Sequence, residues 1–135
     1  MTKYDLMQYR WILKNIEKLE EKLLEIDAQL QRITTRYTLV AVSRTGNRDV
    51  MGDLIIKKME VEEEINKKLQ ESYKKLNEIE KAIKKLDERE KLLIRLRYIY
   101  GKSWAEICDE MNYSWAQIHR IHKEALEKLK KDETK

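Results

Sequence analysis

Residues 86–129 read LDEREKLLIRLRYIYGKSWAEICDEMNYSWAQIHRIHKEALEKL. Three helical patterns follow one another in it. Asp87, with Glu90 three residues later, is a capping box. It opens a helix whose apolar positions are Leu92, Leu93, Leu96, Ile99 and Tyr100. Gly101 ends that helix as a C-cap glycine. Ser103 with Glu106 is a second capping box, opening a short helix with Trp104, Ile107, Cys108 and Met111 on its inner face. Asn112 stands where the chain must turn, and Asn tolerates the left-handed conformation. Ser114 caps a third helix with Ile118, Ile121, His122, Ala125 and Leu129 inward. A short helix, a tight turn and a second helix make a helix-turn-helix.

Upstream the pattern is longer and more regular. Tyr9, Ile12, Ile16, Leu19, Leu23, Ile26, Leu30, Ile33 and Tyr37 follow spacings of three and four without a break. That is a heptad seam. Residues 38–52, TLVAVSRTGNRDVMG, lose the period, and Gly46-Asn47 is a turn signal. The segment is expected to be a loop joining two helices, with Arg44 and Arg48 as alternative partner contacts. A second long helix is expected from Asp53, a plausible N-cap. Its seam is Ile55, Ile65, Leu69, Leu76, Ile79, Ile83 and Leu86. Lys58, Glu62 and Ser72 interrupt it, with Met59, Val61 and Tyr73 placed to compensate. Two helices of similar length joined by a loop predict an antiparallel hairpin. The fold class is therefore all-α: a coiled-coil-like hairpin over 1–85, for interaction or oligomerisation, and a helix-turn-helix module over 86–135. Whether Leu86 continues the long helix or Asp87 breaks it is left open by the sequence.

Composition agrees. The chain has no proline, three glycines and 40% charged residues, as long helices do. One cysteine excludes a disulfide framework and an all-cysteine zinc site. No apolar run approaches a membrane span or a signal-peptide core, so a soluble cytoplasmic protein is expected. The net charge of +4 is spread evenly, and the last fifty residues are nearly neutral. No glycine-rich phosphate loop and no nucleophile–base pair is visible, which argues against an enzyme, a cofactor or a small-molecule substrate. His119 and His122 are three apart, but no second ligand pair accompanies them, so no metal is expected.

The 86–129 stretch resembles region 4 of the sigma-70 family. The matching residues are Leu86 through the Leu-Arg-Tyr ending at Tyr98, the Gly101-Lys-Ser corner, the Ala-Glu-Ile ending at Ile107, the Ser114 cap and Ala125-Leu-Glu-Lys-Leu129. With its helical N-terminal portion and Gly-Asn-Arg-Asp segment, the whole chain also looks like small phage and prophage regulators related to ArpU and RinA. That resemblance implies control of late phage genes in a bacterial host. Nothing in residues 1–85 resembles the promoter-opening region of a full sigma factor. Where primary sigma factors carry Arg-Glu-Arg after the cap, this chain has Trp115, Ala116 and Gln117, and the usual Gln aligns with Arg120. A DNA preference different from the ordinary −35 element follows.

Helical geometry nominates the contacts. With Ile118 inward, Ala116, Arg120, Lys123 and Glu127 point outward, flanked by Gln117 and His119. Ala116, Gln117, His119, Arg120 and Lys123 are the base-contact candidates, since the start of a recognition helix reaches base edges. Lys102, Ser103 and Ser114 are phosphate candidates. Glu106, Asp109 and Glu110 would face away from DNA or toward RNA polymerase. Trp115 and Trp104 read as packing residues, and Cys108 as a small buried one. Expected partners are duplex DNA, RNA polymerase and a second copy joined through the long helices. A small terminase subunit for DNA packaging and a polymerase-binding adaptor are the alternatives. The order of modules counts against the first.

Overall fold

In the computed structural model the chain is all-α, and the structure describes residues 1–40 and 45–131. Helix α1 spans Lys3–Val40 and α2 spans Thr45–Ala82, followed by a 3-10 turn, Ile83–Lys85. Helix α3 spans Glu88–Ile94 and runs on through a π turn, Arg95–Ile99. Helices α4, Trp104–Met111, and α5, Trp115–Lys131, complete the chain.

By contacts the chain divides into two units, Leu13–Gln70 and Met1–Ile12 with Glu71–Lys135. This division falls elsewhere than the boundary expected at residue 85. The reason is the antiparallel course of the hairpin, which returns the end of α2 beside the start of α1. Within the second unit Lys75 bears on the Asp5 carboxyl and Tyr73 on the Tyr9 hydroxyl.

Within Leu13–Gln70, Lys58 Nζ meets Asp27 Oδ1 at 2.9 Å. Gln29, Arg32, Ile33 and Arg36 of α1 lie across a cleft from Val50 and Leu54 of α2. Rising numbers on one helix meet falling numbers on the other, so the pair is antiparallel. Ile16, Ile26, Val61 and Ile65 are buried, while Leu19, Leu23, Leu30 and Ile33 are half-buried. The α1 seam is thus the hairpin's own interface.

Two expectations are corrected here, and one question that the sequence left open is answered. Most of the 38–52 loop is helix: α1 continues to Val40 and α2 begins at Thr45, so Asp53 is an exposed interior residue and not an N-cap. Two glycines cost a helix only about 1 kcal/mol each, and helical continuation keeps Val50 and Leu54 along α1. Arg44 and the side chains of Tyr37 and Arg48 lie outside what the structure describes. Second, the α2 seam runs through Leu54, Lys58, Val61, Ile65, Leu69, Ser72, Leu76, Ile79, Ile83 and Leu86, so Ile55, 45% exposed, is off it. Lys58 and Ser72 are genuine seam positions. Val61 is buried, but Met59 and Tyr73 are exposed and do not compensate. Third, the long helix does not run into the last module. Leu86 is extended with ψ 157, and Asp87 opens a new helix.

The core of the unit containing the module combines distant parts of the sequence. Leu6 and Tyr9 from α1 and Ile79, Ile83 and Leu86 from the end of α2 are buried. So are Leu93, Ile94, Leu96 and Tyr98 of α3 and its π turn, Ile107 of α4, and Ile118, Ile121, Ala125 and Leu129 of α5. Among the described residues no helix is long and apolar enough to cross a membrane.

Candidate nucleic-acid interface

The helix-turn-helix stands on α3. Asp87 and Glu90 form the full capping box: the Glu90 N–H donates to Asp87 Oδ1 at 2.9 Å, and the Asp87 N–H donates to Glu90 Oε1 at 3.0 Å. The Glu90 N–H holds the Asp87 carboxyl below its ordinary pKa. Glu90 is itself buried, and its Oε1 also accepts from Lys128 Nζ at 2.7 Å, tying α3 to α5. At the other end the Tyr100 N–H reaches Arg95 O, five residues back, at 2.9 Å. Gly101 then turns with φ 69 and lets the Lys102 N–H close on Leu96 O at 2.9 Å. Two arginines hold this corner. Arg10 Nη1 donates to Ile99 O at 3.0 Å, with its guanidinium lying over Gly101. Arg97 Nη1 donates to Lys102 O at 3.0 Å and lies 4.4 Å over the Trp104 ring. The local sequence signals no such role for either.

The turn follows the expected chemistry. Ser103 Oγ accepts from the Glu106 N–H at 3.2 Å. The reciprocal bond is absent, because the Glu106 carboxylate sits 3.9 Å from Lys102 Nζ instead. Asn112 is left-handed, φ 57, and its N–H caps α4 on Cys108 O. Ser114 and Gln117 form the complete box: Ser114 Oγ accepts from the Gln117 N–H at 3.3 Å, and the Ser114 N–H donates to Gln117 Oε1 at 2.9 Å. Gln117 Oε1 is therefore occupied. Its amide NH2 remains free to donate, so a two-pronged adenine contact requires opening the cap. Ser103 and Ser114 accept at Oγ in their caps and keep the hydroxyl proton to donate to a phosphate.

An aromatic cluster sets the angle between α4 and α5. Trp104 packs on His119 at 4.6 Å and on His122 at 4.8 Å, ring centre to ring centre. Trp115, 57% exposed, covers His119 from the other side at 4.4 Å. His119, expected among the base contacts, is thus half-buried in packing, since the outward row turns past it. His122 is buried, its Nε2 2.6 Å from the Tyr98 hydroxyl. Burial pushes the imidazole pKa down to about 4 and the phenol up to about 12. Cys108 is half-buried, short of the full burial expected.

Ala116, Gln117, Arg120, Lys123 and Glu127 form the exposed row expected of α5. The near-neutral charge of the module hides how its charges are distributed. Arg89 pairs with Asp87, Lys91 with Glu88, Arg95 with Glu80, Lys102 with Glu106 and Lys128 with Glu90. Among the described residues Arg120 and Lys123 are in no ion pair. Both lie on the outward face of the last helix, whereas Arg97, also in no ion pair, is held at the α3–α4 corner by Lys102 O and the Trp104 ring. Lys102, paired and half-buried, is a weaker phosphate candidate than its sequence position implied.

Comparison with known families places this geometry. Residues 82–131 match the family model for sigma-70, region 4, so the module is a sigma-70 region 4-like helix-turn-helix. No curated protein and no solved structure matches the chain.

Proposed function

We propose that the chain is a transcriptional regulator that reads duplex DNA with α5, without enzymatic activity. The observation that carries this is the unpaired Arg120–Lys123 row on the exposed face of α5. The other arginines and lysines of the module up to Lys128 are occupied by carboxylates or by the α3–α4 corner. Arg120 supplies a bidentate donor for guanine, and Ala116 supplies a methyl contact for thymine. The resemblance to phage regulators supports control of late phage genes.

The test is fluorescence anisotropy on the chain's own upstream intergenic DNA against a shuffled duplex, across about 50 to 200 mM salt. A preference of about a thousandfold for native DNA is expected, and it is lost in Arg120→Ala. Equal, weak binding to both duplexes sinks the reading. A second reading, docking on RNA polymerase, draws on the exposed acids Glu106, Asp109 and Glu110 of α4. Tight polymerase binding with no response to DNA is its signature.

A further inference from the structure

The first turn of α1 lies beside the second half of α5. Lys3 and Tyr4 face Lys123, Leu126, Glu127 and Lys130 across an open cleft of about 370 Å³. Lys3, Lys123 and Lys130 are exposed and, among the described residues, in no ion pair. Tyr4 is 61% exposed, and its ring is held edge-on by Trp11 at 5.5 Å. These residues come from opposite ends of the chain. Lys3 and Tyr4 also lie outside the residues that match the family model.

We propose that this cleft carries the sugar-phosphate backbone of duplex DNA beside the recognition helix, with Lys3 as a phosphate contact supplied by α1. The inference rests on the reading of α5 as the DNA helix and extends it to a second element. Two observations favour this occupant. The cleft is ringed by three lysines against one acid, Glu127, so its charge suits a polyanion. It is also continuous with the outward row. Lys123 belongs to both, and it lies three residues past Arg120, about 4.5 Å along the axis. A backbone strand flanking the groove entered by Arg120 meets Lys123 first and Lys3 beside it. The exposed Tyr4 phenol adds a donor of the kind that commonly bonds phosphate oxygens.

The test uses the full chain, with salt titrations on native and shuffled duplexes. Lys3→Gln should weaken both duplexes by the same factor, since phosphate contacts carry no sequence information. It should also reduce the slope of log K against log salt by about 0.9. Glu127→Gln should strengthen both duplexes, because it removes the one carboxylate of the cleft. Lys3→Arg, which keeps the charge, should retain the wild-type slope, and this separates a lost contact from lost structure. Unchanged affinity and slope in Lys3→Gln, with Arg120→Ala still losing the native-DNA preference, overturns the proposal and leaves the cleft to an acidic protein segment. A wild-type chain that binds neither duplex overturns the α5 reading itself, a different result.

Discussion

His122 couples the stability of the module to pH. Its imidazole is buried and hydrogen-bonded with the Tyr98 hydroxyl, and its pKa falls to about 4 against an ordinary 6.5. Below pH 6.5 the unfolded chain takes up a proton that the folded chain refuses until about pH 4. Stability should therefore be full above pH 6.5 and decline as pH falls toward 4, by about 3 kcal/mol in all. Urea unfolding at steps between pH 7.5 and 4.5 measures this, and the decline should flatten in His122→Leu. Asp5, Glu80 and Asp87, whose pKa values are lowered, add the same sign of dependence from about pH 5 downward. Gly101 is a second sensitive residue. At φ 69 an L side chain is strained, and an added Cβ would also run into the Arg10 guanidinium. Gly101→Ala should cost about 1–2 kcal/mol from conformation alone. The crowding part should vanish in an Arg10→Ala background, giving less than additive losses in a double-mutant cycle. The glycine and its role were legible in the sequence. Arg10 was not, because its partner Ile99 is 89 residues away.

At the scale of elements, the caps were the most legible features. A capping bond joins residues three apart and needs nothing else from the fold. Asp87–Glu90 and the Ser114 cap stand as read, while Ser103–Glu106 forms only half its box because Lys102 competes for the carboxylate. Ser114→Ala should lower stability by about 1 kcal/mol, read as a drop in Tm. It removes only the acceptor of the Gln117 N–H; the N–H of residue 114 still holds Gln117 Oε1, so the DNA preference should not change. An unchanged Tm would show that the cap contributes nothing to folding. The α2 seam was less legible. Ile55 has the better residue type, yet Leu54 faces α1, and Lys58 stays in the seam by carrying its ammonium to Asp27. Residue type alone does not say which of two adjacent apolar positions a partner helix will cover.

The module is not self-contained at the scale of the molecule. Leu6 is fully buried in the unit that contains it, beside a core drawn from α2 to α5. Leu6→Ala should destabilise that unit by about 2–5 kcal/mol, although it lies 76 residues before the matched region begins at residue 82. An isolated 82–131 fragment should unfold at clearly lower denaturant than the full chain, since it also lacks Tyr9 and Arg10. Equal midpoints for fragment and chain would refute a structural role for α1 in the module.

The helices of the module, the Asp87 and Ser114 caps, the left-handed turn at Asn112 and the outward row of α5 follow from the sequence itself. Each depends on interactions within one or two helical turns, which the order of residues specifies directly. Tertiary structure decided the rest. It chose which cations of the module are neutralised, placed His119 in an aromatic stack instead of the contact row, and set Lys3 beside Lys123. The physical reason is range. Lys128 meets Glu90 and Trp104 meets His119 across separate helices, and Lys3 reaches Lys123 because the antiparallel hairpin returns α1 to the module; no local pattern encodes such distances.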